Sequence, residues 1–258
     1  VSHVPTSRLK LAARRIRRLH PAQIADLVEA ASHEEGEEIL EAVGQDKELE
    51  ADVFEELDDE HQVEFLRERS DDEVASVLAR MASDDAADLL LEIEQDRRLP
   101  VLNLLPQSKQ VKIRKLLGHN PSTAGGMMNP DFVSVPADET VATALRKVRA
   151  SDLGGQLLST ICLVDGAGVL VGAVALTELI CADPGASLSS LLEDEARTPT
   201  VAPEEDLPEV ARLMTDYNLI AMPVVGGDGR PVGMIAVDDV LEMLLPDEWR
   251  RRTAGARQ

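Results

Sequence analysis

The chain has 258 residues, 44% of them apolar and only 2% aromatic, with a formal net charge of −22. That apolar share excludes a disordered polyampholyte, and the length allows two cores, built from Leu, Val, Ala, Ile and Met rather than from rings. The longest apolar runs, such as Val169 to Leu176, fall far short of the roughly twenty residues of a bilayer span, so the chain is read as crossing no membrane by itself and carrying no signal peptide.

The charge is unevenly placed. Between Ala22 and Asp96, 27 Asp and Glu stand against 4 Lys and Arg, and the rest of the chain is close to neutral. Phosphates would be repelled by such a surface, which argues against nucleic acid and for cations or a basic surface as its counterpart. The two cysteines, Cys162 in a predicted core strand and Cys181 near a helix end, are read as reduced buried thiols in a cytosolic protein.

In chain order, Ser7 to Leu19 reads as a basic amphipathic helix that packs back on the acidic stretch. From His20 to Leu117 a unit of about a dozen residues recurs, opening at His20, Ser32, Asp58, Ser70 and Ser83. Ser or Asp at the opening can cap a helix, and acids follow in the first turn, where the helix dipole favours them. Such short helices must stack on one another to bury their apolar stripes. Asp88 lies a full turn inside its helix, so capping does not account for it. The histidines His20, His33 and His61, all at repeat starts, suit capping or packing.

Pro121 to Pro130 then breaks the helical pattern with a Gly125-Gly126 pair that lets the backbone turn. Beyond it a second unit occurs twice, once over Val133 to Ile180 and once over Thr200 to Leu241. Each reads as helix, strand, Gly-rich turn, strand and closing helix. Because a strand and not a helix follows Gly166–Gly172 and Gly227–Gly233, these are hairpin turns and not phosphate loops. The helical stripes Val141, Leu145, Val148 and Val210, Leu213, Met214 look larger than one pair's core needs, which predicts a homodimer.

The two-copy unit resembles a tandem pair of CBS domains. Ala124-Gly-Gly-Met-Met-Asn-Pro130, Leu179-Ile-Cys-Ala-Asp-Pro184 and Glu209 to Tyr217 are similar to segments of the MgtE family of magnesium channels, in which a helical acidic N domain precedes the CBS pair. The resemblance implies an all-helical superhelical N domain (1–121), a Gly/Pro hinge (122–130), CBS domains at 131–195 and 196–246, and a basic tail (247–258). The family's pore domain does not appear; Val240 to Pro246 runs instead into Trp249 and Arg250 to Arg252, which leans toward a free-standing relative over an excised cytosolic portion.

In that family Mg²⁺ bridges the N domain to the CBS pair and the CBS pairs of two subunits to each other. By this resemblance the matching positions are Asp84, Asp85 and Asp88 in the N domain and Asp206, Asp239 and Glu242 in the CBS pair. Pro208 and Asn218 stand where acids would be expected, which implies fewer or weaker ions. A membrane magnesium channel domain is the implied partner. Some CBS pairs bind ATP or AMP using a Ser or Thr three residues before an Asp. Here Ala175 precedes Glu178 and Ala236 precedes Asp239, Thr160 stands where the family can have a ring, and Thr177 replaces an Arg, so adenine nucleotide is disfavoured. No H-E-x-x-H, G-x-S-x-G or Walker loop is present, and an enzyme has little support. The expectation is a cytosolic Mg²⁺-sensing module that switches between open and compact states, with a CBS-type nucleotide sensor or a non-catalytic interaction scaffold as alternatives.

Overall fold

A computed structural model describes residues 16–192 and 199–245. Most of the basic helix expected over Ser7–Leu19, and the whole Arg-rich tail, lie outside the described residues. The fold divides into two compact units, one reaching to Val111 and one spanning Lys112–Leu244.

The first unit is helical: α1 (Pro21–Glu29), α2 (His33–Val43), α3 (Lys47–Glu55), α4 (Asp59–Arg67), α5 (Asp71–Leu78), α6 (Ser83–Glu92) and α7 (Gln95–Leu104), with α8 (Gln107–Leu116) crossing into the second unit. Capping side chains start most of them. Ser32, Asp46, Asp58 and Ser70 each accept a first-turn amide hydrogen, and Ser32 and Ser70 complete capping boxes with Glu35 and Glu73. These hydrogen bonds from serine hold the Glu35 and Glu73 carboxyls below their ordinary range. The short repeat therefore has more members than its five clearest openings suggest. Helix α3 follows the Asp46 cap, and α7 tolerates Pro100 within it.

Helix α1 packs on α2 and α3, α3 on α5, α4 on α6 and α5 on α7, so stacking advances along the chain as in a helical array. Arg97 fastens one layer to the next: it pairs with Asp71 at 2.8 Å and donates to the carbonyls of Leu66 and Arg69 at the end of α4. Glu50 is 3% exposed, yet charged partners reach it from two sides. Lys47 Nζ lies 2.8 Å from one carboxylate oxygen and Arg69 Nη1 2.7 Å from the other, while the Arg69 guanidinium also covers the Phe54 ring at 4.8 Å.

The second unit opens with α9 (Ala124–Met127), a single helical turn in the Gly125-Gly126 stretch. Neither glycine has a positive φ, so the pair is not there to permit a left-handed turn. Close approach is the reason at Gly126, where a Cβ would sit 2.4 Å from the Asn120 carbonyl oxygen. The stretch is pinned at three points: Ala124 and Gly125 donate to the carbonyls of Glu205 and Pro203, and Asn129 exchanges backbone hydrogen bonds with Met234.

The two copies then follow. The first has β1 (Ser134–Pro136), α10 (Val141–Arg149), β2 (Thr160–Val164), β3 (Leu170–Ala175) and α11 (Leu176–Cys181); the second has α12 (Leu207–Asp216), β4 (Ala221–Val225), β5 (Pro231–Ala236) and α13 (Val237–Leu244). Strands β2 and β3 are antiparallel, as are β4 and β5, with β1 parallel to β2; the second copy keeps only the Val201–Val224 bridge in the place of β1. One constant offset carries the register break at Leu163/Val164 onto that at Val224/Val225, and the positive-φ turn residue Gly168 onto Gly229. Both glycine segments are thus hairpin turns. The copies share a small core in which Cys162, Ala221 and Met234 are buried. Burial pushes the Cys162 thiol up to about 12, so it is protonated and inert.

Two sequence expectations need correction here. Cys181 is exposed, not buried, because it ends α11 on the solvent side. The stripes credited with surplus apolar surface are largely consumed by their own unit: Val141 and Val210 are fully buried, Val148 and Met214 nearly so, and Leu145 packs against the core, while Leu213 stays half-buried.

Replacing Arg69 by Ala would leave the interior Glu50 carboxylate with Lys47 alone. Urea unfolding should show a loss of about 3 kcal/mol, the lower end of the range for breaking a buried ion pair. A loss below about 0.5 kcal/mol would mean that Glu50 is solvated and contributes nothing to holding α3.

Candidate functional site

The N-domain acids named from the sequence share one helix. Helix α6 begins at Ser83, one residue earlier in the turn than a Ser cap would require: Ala82 is the N-cap and has no acceptor side chain. Other helices of the unit hold the residues just before α6. Glu55, at the end of α3, accepts the Ala82 amide hydrogen at 2.6 Å, and Lys109 Nζ donates to the Met81 carbonyl at 2.5 Å. Burial pushes the Glu55 carboxyl up, partly offset by the Ala82 amide. Asp52 is also raised, by burial first and by the charges of Glu48 and Asp46 next.

Gripped at its start in this way, α6 presents Asp84, Asp85 and Asp88 at three- and four-residue spacing, which places Asp88 on the same face as the other two. Asp84 is buried, Asp85 half-buried and Asp88 exposed. The first two lie in the first turn, where the helix dipole favours them; Asp88 is beyond it.

In the second unit Asp239 and Glu242 stand three apart on α13, Asp239 half-buried and Glu242 exposed. Asp206 lies on a different helix, and its carboxylate has local work: it caps α12 by accepting the Glu209 amide hydrogen at 3.3 Å. The two departures from the acidic pattern have structural causes. Pro208 sits in the first turn of α12, where a missing amide hydrogen costs nothing. Asn218 has φ 53°, the left-handed position after a helix, which Asn adopts more readily than longer side chains such as Glu. Glu209, nearby, is engaged by Arg212, whose hydrogen bond holds its carboxyl below the usual range.

The donor set is carboxylate throughout, with no imidazole or thiol, which fits a hard, partly hydrated dication such as Mg²⁺. Around the nucleotide positions the polar groups are already occupied. Glu178 accepts the Ala175 amide hydrogen at 2.7 Å, and Thr160 Oγ1 donates to the Ala221 carbonyl at 3.3 Å. Sequence reasoning missed Glu55 and Lys109, since nothing in their local patterns announces a contact with a helix start 27 residues away. Their only signal was indirect, the lack of an acceptor at Ala82.

No helix among the described residues is long and apolar enough to cross a membrane. Comparison with known proteins places residues 19–122 on the family model described as the MgtE intracellular N domain, and residues 124–185 and 195–246 on that of the CBS domain. The chain is 36% identical over 133 residues to the magnesium transporter MgtE of Thermus thermophilus and 31% identical to that of Enterococcus faecalis. Each match takes in 52% of this chain and 29% of the relative, so the chain matches less than a third of the length of these curated relatives. Among solved structures, the soluble part of a magnesium transporter matches with a TM-score of 0.82 at 24% identity, over 93% of both chains, which speaks to the fold. The cytosolic domain of the Mg²⁺ channel MgtE in complex with ATP matches with a TM-score of 0.81 at 29% identity, over 90% of this chain and 93% of that one. The chain is therefore an MgtE-type N domain followed by a pair of CBS domains, the domain composition of the soluble region of MgtE magnesium transporters.

Proposed function

We propose that the chain is a Mg²⁺-responsive regulatory module, in which the ion joins the carboxylates of α6 to those of the CBS pair and changes an open arrangement into a compact one. The observation that carries this reading is α6 itself: three acids on one helix, its start clamped by Glu55 and Lys109, in a unit with a large carboxylate excess. The names of its relatives, magnesium transporters, support Mg²⁺ as the ion. On this reading Asp84, Asp85 and Asp88 supply one side, and Asp239 and Glu242, with Asp206, the other. The role is one of binding and not of catalysis. By its likeness to the cytosolic domain of MgtE, we place the module in the cytoplasm, acting on a membrane magnesium channel domain.

The physics is one of sign reversal. Two facing carboxylates about 6 Å apart repel by roughly 3 kcal/mol at an effective dielectric of ~20, before salt screening. Several such pairs keep surfaces apart, and ions bound between them turn repulsion into attraction. An ion shifts the balance only by its preference for one state, so several weak sites acting together give a steeper response than one.

A second reading, adenine-nucleotide binding, draws on the ATP complex of the similar MgtE cytosolic domain and on Ser159, whose hydroxyl is buried without a hydrogen-bond partner beside Thr160. The occupied state of Thr160 and Glu178 speaks against it.

Small-angle scattering separates these readings. The wild type should shrink on adding millimolar Mg²⁺, and Asp88→Asn and Asp239→Asn should each blunt that response while making the ion-free form more compact, since they remove charge and little volume. An unchanged radius of gyration in the wild type would leave the scaffold reading in place of the sensor. A rise in melting temperature with ATP and none with Mg²⁺ would favour the nucleotide reading instead.

The CBS pair is further proposed to form a homodimer. Its motivation is no longer the buried stripes but the large apolar residues that remain exposed on the closing helices, Ile180 on α11 and Leu241 and Leu244 on α13, with Tyr217 and Ile220 after α12. Light scattering should give twice the chain mass at micromolar concentration. Leu241→Glu should shift it toward the monomer, and a wild type that is monomeric with and without Mg²⁺ would remove the claim.

A further inference from the structure

A different group of ligand-capable side chains lies in the first unit, away from α6. A groove of about 1050 Å³ is lined by eight carboxylates and two cations, and both cations, Lys47 and Arg69, are committed to Glu50. Among the described residues, the Lys and Arg that line the groove are thus both spent on one of its eight carboxylates. Within it His33 and Glu37, one turn apart on α2, meet Glu68 from the end of α4, with a ligand atom of each inside 4.8 Å of the other two.

The imidazole is held in one orientation. Its ring stacks on Phe65 at 5.1 Å with planes 6° apart, and Nδ1 lies 2.9 Å from Glu64 Oε1. A carboxylate on one ring nitrogen fixes the tautomer that leaves the other with a lone pair, the arrangement around metal-bound histidine in general. That other nitrogen, Nε2, is 3.9 Å from Glu68 Oε1, beyond hydrogen-bond reach and wider than the roughly 3.3 Å between tetrahedral ligands of one small ion, a gap that a small turn of the exposed Glu68 side chain closes. Glu37 makes no hydrogen bond or ion pair among the described residues, so two carboxylates and an oriented nitrogen converge with nothing between them. His33 packs, as its place at a repeat start suggests, and its packed face leaves a donor atom to spare.

We propose that His33, Glu37 and Glu68 bind one divalent cation of the borderline class typified by Zn²⁺. One nitrogen and two carboxylate oxygens suit that class, whereas Mg²⁺ takes oxygens alone. The ion would tie α2 to the end of α4 and make the first unit responsive to a second kind of metal. The site is independent of the proposed Mg²⁺ carboxylates, because none of those six residues takes part.

The test is calorimetric titration of the full chain with Zn²⁺ in a large excess of Mg²⁺, which fills the all-oxygen sites. One Zn²⁺ per chain should bind, with a matching rise in melting temperature. Glu37→Gln, which disturbs no partner, and His33→Gln should each weaken binding at least ten-fold. Glu64→Gln should weaken it less, through the ring orientation, and Glu41→Gln, in the same groove but outside the triad, should leave it unchanged. If Zn²⁺ fails to bind against Mg²⁺, the proposal is overturned. Binding by Glu37→Gln and His33→Gln equal to the wild type would overturn it too, placing the ion on another imidazole or on the exposed Cys181 thiol. Neither result bears on Mg²⁺-driven compaction, which Asp88→Asn and Asp239→Asn report.

Discussion

Mutual repulsion among carboxylates is the constraint under which the first unit folds. Twenty-seven acids between Ala22 and Asp96 face four bases, and the residues that organise the unit are largely those that make this tolerable. Acids are placed in first turns, where free amides and the helix dipole offset their charge. Two arginines are each used several times. Arg69 serves Glu50 and Phe54, and Arg97 serves Asp71, Glu94 and the carbonyl end of α4. What remains after these pairings is a surplus of exposed carboxylate oxygen, and a surplus of that kind is responsive to dications by its nature.

Helix α6 differs from its siblings in how it begins. Where α2 and α5 carry their own serine caps, α6 has no side-chain cap; its N-cap amide is instead held by Glu55 and its preceding carbonyl by Lys109. A local cap fixes a helix end relative to its own chain; a long-range hydrogen bond at the N-cap fixes it relative to other helices. The start of the acid-bearing helix is thus positioned by tertiary contacts from α3 and α8. Glu55 is itself a carboxylate kept against a burial cost, so the clamp belongs to the same electrostatic economy as the acids it positions.

The CBS copies show how a duplicated unit diverges without losing its frame. The register break and the left-handed glycine recur at one offset in both, because each is needed to close the hairpin. The acid near the start of the closing helix has been kept as a different residue in each. Glu178 reaches back to the Ala175 amide, while the equivalent Asp239 is followed three residues later by Glu242 on the same face. Pro208 and Asn218 were read from the sequence only as missing acids. In the structure they are a helix start and a helix stop, and their identity follows from backbone geometry.

Periodicity, capping residues and turn glycines are local signals, and the sequence by itself determined what depends on them: a helical first unit, two α/β copies, hairpin turns in place of phosphate loops, and a likeness to the MgtE soluble region that the matched families share. It also put Asp84, Asp85 and Asp88 on one helix, since spacing alone fixes a shared face. Burial and long-range partnership were decided by the tertiary structure. Only packing could reveal that Cys181 is exposed, that the Val141 and Val210 stripes are spent within their own unit, that Glu50 is interior, and that His33 meets Glu68 across two helices. The physical reason is range: a hydrogen-bonded turn is settled by neighbours three or four residues away, whereas desolvation and the meeting of charges depend on chain segments brought together only when the whole unit packs.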